Sequence, residues 1–495
     1  MKKILVANRG EIAMRIIRTL KEMRIASVAV FSEADRKSPH VRLADEAFCI
    51  GPAPSAQSYL CGDRIIELAL KHNVEGIHPG YGFLSENAIF AEAVTKAGMK
   101  FIGPKPNAIR IMGSKLAAKK AVEAFDVPMV PGTDQAITDR QEAKAIAVKI
   151  GFPILIKASA GGGGKGMRIV KNESEFEEQL DLARNEAKSA FGDDAVFIEK
   201  YISSPRHIEI QVLSDQHGNH VDLFERECSI QRRHQKVVEE APSAVLTETL
   251  RKQMGETATQ VARACDYEGA GTVEFLLDQD MNYYFLEMNT RLQVEHPVTE
   301  YITGIDLVRE QINIANGERI SFKREDLKIT GHAIELRIYA EDPLNNFLPD
   351  IGKLKVYKKP YGAGIRVDDG YEEQMDIPIY YDSMIAKLIV HAENRELAIR
   401  KMKFAISQYQ IVGIQTTLDF GSWLMSHEDF IKGNIDTHFI GNYFDPSQFD
   451  DQLTKDEQLI LAKLTQEKIF SNSNVQQAKI MQPKSNWLQN RAVKG

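Results

Sequence analysis

The sequence predicts a mixed α/β protein, α+β in part, whose first unit is a doubly wound α/β domain. Strand-like and helix-like patterns alternate through about residue 113, and no repeat or low-complexity tract interrupts them. With 495 residues the chain has room for about two to four domains. Its 26% of charged and 43% of hydrophobic residues are ordinary for a globular protein, so composition alone excludes a fibrous or disordered class.

The first unit can be followed element by element from its apolar periodicity. In chain order, the predicted elements are a strand at 3–7, an amphipathic helix at 11–23, a strand at 27–32, helices around 63–72 and 86–97, and a strand at 100–102. The first turn, residues 8–11, lacks the G-x-G-x-x-G pattern, which argues against a site for NAD.

Beyond this unit, Ser114 is a candidate N-cap for a helix that runs to about Phe125. A lid is predicted over roughly 131–203, and a C-terminal α/β segment over about 334–445 completes the core.

Polar and apolar side chains alternate along residues 287–295. Because successive side chains on a strand point to opposite faces, the polar ones are predicted to share one face. They are Glu287, Asn289, Arg291, Gln293 and Glu295. This set could hold a cation and a small oxyanion side by side.

The segment before it predicts a hairpin. Residues 272–278 and 283–286 have strand patterns around a turn at 279–282, and a symmetric register places Glu274 opposite Glu287. Facing carboxylates repel each other, and a bound Mg²⁺ would resolve the conflict. The alternative is two solvated glutamates on an exposed face.

A glycine-rich flap, residues 161–166, follows a predicted strand that ends at Lys157. Glycines let backbone N–H groups approach an anion, and Lys165 adds a positive charge. No Lys-Ser or Lys-Thr pair follows, so the segment is not a Walker A loop. It is better explained as a hairpin flap over phosphates, with a plain flexible turn as the alternative.

A basic run occupies residues 231–236. It is short, acidic residues follow it directly, and the net charge of the chain is −7, all of which argue against nucleic acid as a partner. A cation cluster for a small phosphate or carbonate anion fits better, and a solvated charged loop is the alternative.

The four cysteines show no CxxC spacing, which predicts reduced thiols in a cytoplasmic compartment. Cys228, beside the basic run, is expected to be structural. The apolar stretch at the N-terminus is too short to be the apolar region of a signal peptide. No apolar run reaches the length of a membrane span.

These motifs together closely resemble biotin carboxylase, the ATP-grasp component of biotin-dependent carboxylases. The resemblance extends from Met1 to about residue 445 and rests on residues 8–13, 78–87, the glycine-rich flap, 231–242, 287–300 and 380–385. It implies an N-terminal domain over 1–113, an ATP-grasp domain over 114–333 with a mobile lid, a C-terminal biotin carboxylase domain over 334–445, and a tail over 446–495. The tail is either a floppy extension or a docking segment for a partner.

The resemblance also implies roles for single residues. ATP binding falls to Lys115, Lys157, Gly163, Gly164, Glu199, Lys200, Ile202, His207, Gln231 and His234. Metal binding falls to Glu274, Glu287 and Asn289, and bicarbonate binding to Lys236, Arg291, Gln293 and Val294. Glu295 matches the general base, and Arg337 matches the group that stabilises the biotin enolate. Taken singly, each has a structural alternative: Lys115 as a solvated helix residue, His207 as a core histidine, Arg337 as a surface ion pair.

The implied reaction uses ATP and Mg²⁺ (or Mn²⁺) to carboxylate biotin at N1 through carboxyphosphate, as the first half-reaction of an acyl-CoA or pyruvate carboxylase. Biotin is normally attached to a lysine flanked by methionines, whereas Lys401-Met402-Lys403 has the reverse order. We therefore expect a separate biotin carboxyl carrier protein and a separate carboxyltransferase subunit. The family commonly forms homodimers, so we expect a homodimer here too.

Two alternatives remain open at this point. One is another ATP-grasp ligase that activates bicarbonate or a carboxylate, such as a carbamoyl-phosphate-forming enzyme or a purine-pathway carboxylase; Arg291, Gln293 and Glu295 together with Arg337 argue against it. The other is a nucleotide-binding regulatory protein with a dead site, which the intact set of ionisable site residues disfavours. The final carboxyl acceptor is not encoded in any of these motifs.

Overall fold

The computed structural model describes residues 1–133, 135, 137–158, 167–191, 194–233, 235–448 and 463. The chain forms two compact units, Met1–Phe444 and Asp445–Gly495. In the second unit the described residues include the short 3-10 helix Pro446–Gln448, and the remainder of the tail prediction lies almost entirely outside the described residues. No helix in the described ranges is long and apolar enough to cross a membrane.

The N-terminal part is the doubly wound α/β unit that the alternating pattern predicts. Its elements are β1 Lys3–Val6, α1 Gly10–Glu22, β2 Ala26–Ser32, α2 Pro39–Leu43, β3 Glu46–Gly51, α3 Gly62–Lys71, β4 Gly76–His78, α4 Ala88–Lys96 and β5 Lys100–Phe101. All neighbouring strands in the sheet, ordered β3-β2-β1-β4-β5, are parallel. Apolar side chains fill both faces of this sheet, which explains why its strands are nearly continuous hydrophobic runs.

A smaller antiparallel sheet follows three helices. The elements are α5 Pro106–Met112, α6 Lys115–Glu123, α7 Arg140–Ile150, β6 Ile154–Ala158, β7 Met167–Val170, α8 Phe176–Phe191 and β8 Val196–Lys200, with strand order β7-β6-β8. The predicted cap of α6 is present, since Ser114 accepts a hydrogen bond from the Ala117 N–H at 3.4 Å. The strand after the flap is also as predicted, because β6 and β7 pair antiparallel. The flap itself lies outside the described residues.

The rest of the unit is built on one large antiparallel sheet. Around it lie helices and two separate strand pairs, β15 with β16 and β17 with β20. In chain order, the elements are β9 Arg206–Ser214, β10 His220–Arg232, β11 Gln235–Ala241, α9 Glu248–Ala264, β12 Gly269–Leu277, β13 Tyr283–Asn289, α10 His296–Thr303, α11 Leu307–Asn316, β14 His332–Tyr339, β15 Glu341–Asp342, β16 Leu348–Pro349, β17 Val356–Lys358, β18 Ile365–Asp369, β19 Met384–Ala392, α12 Arg395–Gln408, β20 Gln410–Val412, α13 Leu418–Leu424, α14 Glu428–Lys432 and α15 Phe439–Tyr443.

The eight strands of this sheet have the order β13-β12-β9-β10-β11-β14-β19-β18. Strand β14 pairs with β11 on one side and β19 on the other, so the sheet runs without a break across residue 333, where a domain boundary is expected from the sequence. The fold class predicted from the sequence, a mixed α/β protein with an ATP-grasp arrangement, is confirmed by solved structures of the same architecture that are described below.

Candidate active site

The site is centred on the ammonium group of Lys236 in β11. Its Nζ lies 2.5 Å from Glu209 Oε2, 2.9 Å from Glu274 Oε1 and 2.7 Å from Glu295 Oε1. Burial by itself would lower the pKa of Lys236, but these carboxylates raise it well above its ordinary value, so the side chain stays charged. The ammonium group of Lys236 thus contacts carboxylates from three other parts of the chain.

The expectation that residues 287–295 form one alternating strand is wrong beyond Asn289. Strand β13 ends there, and residues 290–295 are irregular before α10 begins at His296, with Pro297 in its first turn. Pro297 suits the first turn of α10, where its missing N–H costs no intrahelical hydrogen bond.

The predicted side chains nevertheless converge, by side-chain hydrogen bonds rather than by strand alternation. Gln293 Nε2 donates to Glu274 Oε1 at 2.8 Å, and Arg291 Nη2 donates to Asn289 Oδ1 at 3.0 Å. The backbone carbonyl of Val294 accepts a hydrogen bond from Lys387 Nζ at 2.7 Å.

Glu295 lies between two cations. Its second oxygen accepts from Arg337 Nη2 at 2.9 Å, while Arg337 Nε donates to Glu239 Oε1 at 2.6 Å. Burial would raise the pKa of Glu295, but Lys236 and Arg337 hold it well below its ordinary value. Glu295 is therefore ionised, which is the form of the side chain that can act as a proton acceptor. Arg337 is buried, so it is not the surface ion pair of the alternative interpretation.

The cross-strand pairing of Glu274 with Glu287 is present in the register predicted from the sequence. The hairpin is not fully symmetric, because the register shifts after Glu274, where Phe275 pairs with Phe285. Glu274 is buried and Glu287 is exposed. Burial would raise the pKa of Glu274, but Lys236 and then His207 lower it far below its ordinary value.

The donor set at this place suits a hard divalent cation. Glu274 and Glu287 supply carboxylate oxygens, and Asn289, whose Nδ2 donates to Glu274 Oε1 at 2.9 Å, supplies an amide oxygen. Oxygen ligands of this kind are those that Mg²⁺ prefers together with phosphate oxygens. The residues present therefore fit the metal that the family resemblance implies.

A cavity of about 330 Å³ adjoins this carboxylate group. Met129, Val130, Lys157 and Glu199 line one part of it, and residues 285–290 line another. Lys157 forms an ion pair with Glu199, and Lys119 lies 3.3 Å from the same carboxyl group. Burial would raise the pKa of Glu199, but Lys157 lowers it, so the group is ionised. A cavity with apolar walls and the charged Lys157–Glu199 pair suits a nucleotide.

Two other predicted nucleotide contacts lie against the carboxylates. Gln231 Nε2 donates to His207 Nδ1 at 2.9 Å, which leaves the ring proton on Nε2, 3.1 Å from Glu274 Oε2. Lys200 instead directs its ammonium to the carbonyls of Gly151 and Phe152, at 2.8 and 3.0 Å, and Ile202 is half-buried beyond the end of β8. Gly163, Gly164, His234 and the side chain of Lys115 lie outside the described residues, so their assignments stay predictions.

Sequence reasoning missed Arg226, a fully buried arginine in β10. Its guanidinium forms an ion pair with Glu209 and donates to Gln211, Thr272, Gln293 and Thr299. A signal was available, because three consecutive charged residues, 225–227, lie between the apolar pair Leu223-Phe224 and Cys228.

Glu86 was also missed as a contact, although the motif at 78–87 contains it. Its Oε2 accepts from Arg291 Nε at 2.9 Å, and its Oε1 accepts from the Thr290 N–H at 3.0 Å. Arg291 is thereby held from the N-terminal unit. Only the folded structure brings these residues, 205 positions apart, together.

Comparison with known proteins agrees with this geometry. Three family models match the chain: the biotin carboxylase N-terminal domain over residues 1–109, the ATP binding domain of the carbamoyl-phosphate synthase L chain over 114–323, and the biotin carboxylase C-terminal domain over 335–442. Fold and site thus define an ATP-dependent ligase. More narrowly, the chain belongs to the biotin carboxylase family.

Individual relatives cover most of the chain. It is 50% identical over 443 residues to biotin carboxylase 1 of Bacillus subtilis, covering 89% of this chain and 98% of that one. It is 52% identical over 439 residues to the alpha subunit of mitochondrial methylcrotonoyl-CoA carboxylase from Rattus norvegicus, covering 88% of this chain but only 61% of that longer protein.

Among solved structures, the biotin carboxylase domain dimer of Hydrogenobacter thermophilus 2-oxoglutarate carboxylase, in complex with MgADP, ADP and bicarbonate, matches with a TM-score of 0.81. It is 48% identical, and the match covers 89% of this chain and 97% of that one.

Proposed function

We propose that this enzyme carboxylates biotin at N1 with ATP and bicarbonate, the first half-reaction of a biotin-dependent carboxylase. The observation that carries the proposal is the position of Glu295, which bridges Lys236 and Arg337. An ionised base, a cation for a small anion and a cation for an enolate are thus brought together beside a nucleotide-sized cavity.

Bicarbonate is a poor nucleophile and must lose a proton as it attacks the γ-phosphate of ATP. Glu295 accepts this proton, and Arg291 holds the carbonate oxygens with its planar guanidinium. Lys236 binds the same anion once its ammonium group has moved away from its carboxylate partners. Its departure also removes the largest effect that lowers the pKa of Glu295, so anion binding makes this carboxylate a stronger base.

The phosphate end of ATP would lie against Lys157, at the carboxylate end of the cavity. Mg²⁺ held by Glu274, Glu287 and Asn289 would supply neutralisation of the phosphate charge. The product of the first step is carboxyphosphate, which water destroys, so we assign to the glycine-rich flap the role of covering it. We assign to the segment around 131–203 the role of the lid that carries this flap.

In the second step carboxyphosphate gives CO₂ and phosphate, and phosphate removes the N1 proton of biotin. Arg337 then stabilises the ureido enolate, which attacks CO₂. Its position supports this role, since one end of the guanidinium is fixed by Glu239 while the other faces Glu295.

The relatives are named for different acceptors, methylcrotonoyl-CoA in one and 2-oxoglutarate in another, so the acceptor belongs to a transferase rather than to this site. We propose a separate biotin carboxyl carrier protein and carboxyltransferase as partners, a homodimer as the working form, and a cytoplasmic location. Residues 446–495 are a candidate docking segment for these partners; unchanged partner pull-down and activity after deletion of the segment would argue against this.

The decisive experiment is bicarbonate-dependent ATP hydrolysis by the purified chain, with and without free biotin. Stimulation by biotin is expected. Hydrolysis that requires bicarbonate but ignores both free biotin and biotin on a carrier would favour a different bicarbonate-activating ligase. Omission of bicarbonate is the matched control for contaminating ATPases.

A further inference from the structure

Two buried carboxyl groups lie directly opposite each other in the large sheet, next to Arg337. Glu239 in β11 pairs with Glu335 in β14, and both are fully buried. Side chains at opposed positions of an antiparallel pair have Cβ atoms about 5 Å apart, within reach of each other. Arg337 is two residues along β14 from Glu335, so the three side chains share one face of the sheet.

The hydrogen-bond partners of this pair are incomplete if both groups are ionised. Glu239 Oε1 accepts from Arg337 Nε at 2.6 Å, but Glu239 Oε2 and both oxygens of Glu335 have no partner in the described part of the chain. Three adjacent buried oxygens without a donor would carry a large desolvation cost. A single proton between the two groups provides a donor for one carboxyl group and an acceptor in the other.

The surrounding charges leave no cation for Glu335 within the described ranges. Arg337 is divided between Glu239 and Glu295, and Lys387, diagonally across in β19, directs its ammonium to the Val294 carbonyl at 2.7 Å and to Glu11 at 3.2 Å. Two like charges this close in an apolar setting cannot both persist.

Electrostatics agrees with this account. Burial raises the pKa of Glu335 well above its ordinary value; Lys387 opposes that rise, and Glu239 adds to it. Burial also raises the pKa of Glu239 to about 7, with Arg337 acting against it. Arg337 thus favours the charge on Glu239, and the proton resides on Glu335.

We propose that Glu335 is a protonated carboxylic acid that donates a hydrogen bond to ionised Glu239, and that this shared-proton pair positions Arg337. The pair gives Arg337 one negative partner on its Nε side and leaves Nη2 directed at Glu295. Glu335 is therefore a positioning residue, and its kinetic effect rests on the proposed biotin carboxylase activity.

The protonation state can be measured without any turnover. Infrared difference spectroscopy at pH 7 of the wild-type chain against Glu335→Gln should show the loss of a protonated carboxyl C=O band, which shifts in D₂O. Glu239→Gln should lose the same band, because Glu335 then becomes the anion beside Arg337. Loss of a carboxylate band in Glu335→Gln would overturn the proposal. Each variant serves as the second test if the other fails to fold.

The positioning role has its own kinetic test. Glutamine keeps a donor at position 335 and leucine does not, so Glu335→Leu should lower the biotin-dependent kcat by about tenfold or more, while Glu335→Gln recovers most of it. KM for ATP should stay within about twofold in both, since neither carboxyl group lines the nucleotide cavity. Equal losses in the two variants would contradict the role. Absence of biotin-dependent turnover in the wild type would reject the proposed function but leave the infrared result valid.

Discussion

Arg226 and Gln293 are 67 residues apart in the sequence, yet Nη2 of the arginine donates to Oε1 of the glutamine at 2.7 Å inside the protein. The hydrogen-bond network continues from Gln293 to Glu274, because the amide nitrogen of Gln293 donates to the Glu274 carboxylate. The irregular segment after β13 is thereby tied to the sheet at a fixed position.

Replacement of Arg226 by methionine should destabilise the fold strongly. It removes one of the two cations that contact Glu209 and the shared donor of four buried polar side chains, and breaking a buried ion pair costs about 3 kcal/mol or more. Urea-induced unfolding of the variant should show this decrease in the free energy of unfolding. Arg400→Met is the matched control, since Arg400 forms an exposed ion pair with Glu396 on α12 and should cost less than about 1 kcal/mol. A difference of under about 1 kcal/mol between the two would contradict the role of Arg226.

Glu295→Gln should remove turnover and keep nucleotide binding. Glutamine preserves the shape of the side chain but cannot accept the bicarbonate proton, so kcat should fall by about 10² to 10⁴. Calorimetric titration should give a Kd for ATP within about twofold of the wild type. The exposed Glu396→Gln is the control for a general loss of negative charge. Turnover near the wild-type value would reject Glu295 as the base.

Lys157→Met should weaken ATP binding by about tenfold or more, which corresponds to one charge-assisted hydrogen bond. The methionine keeps the apolar stem in the cavity and removes only the ammonium. Lys144→Met on α7 is a suitable control, because Lys144 is exposed and pairs with acidic residues at the surface. If both variants bind ATP equally well, Lys157 does not contact the nucleotide.

The acid sensitivity of the fold should depend on Glu240. Burial raises the pKa of this carboxyl group, but the His332 hydrogen bond and the charge of Arg395 outweigh it and lower the pKa from 4.5 to about 2. A carboxyl group whose pKa is lower in the folded than in the unfolded state stabilises the protein at pH values above its unfolded-state pKa. This contribution disappears as the pH falls from about 5 towards 2. It amounts to roughly 3 kcal/mol.

Urea-induced unfolding of the wild type and Glu240→Gln at pH 7, 5 and 3 tests this directly. The wild type should be more stable at pH 7, and the difference should shrink at pH 3. Other carboxylates titrate equally in both proteins and cancel. A difference that does not change with pH would show that Glu240 contributes through packing rather than through its charge.

Local patterns predicted the parts of the site that depend on neighbours in sequence. The facing of Glu274 and Glu287 followed from hairpin symmetry, and the strand after the flap followed from residue type alone. Alternation failed after Asn289, because β13 ends there and residues 290–295 are irregular before α10 begins at His296.

Contacts between distant segments were not predictable in this way. Glu86 reaches Arg291 from the N-terminal unit, and Arg226 lies at the centre of a network that four other segments complete. No periodicity encodes which strands of the large sheet become neighbours. The family resemblance supplied roles for residues that face substrates, and it left out those that hold them in place.

The three carboxylates around Lys236 also affect how tightly an added anion can bind to its ammonium group. If Lys236 binds bicarbonate as proposed, the anion must compete with these carboxylates for the ammonium group, which lowers its affinity for the enzyme without nucleotide. Any ligand that draws Glu274 or Glu295 away releases Lys236 and tightens anion binding. By thermodynamic reciprocity, bound bicarbonate tightens that ligand equally. Such cooperativity between nucleotide and bicarbonate would limit wasteful hydrolysis of ATP when bicarbonate is absent.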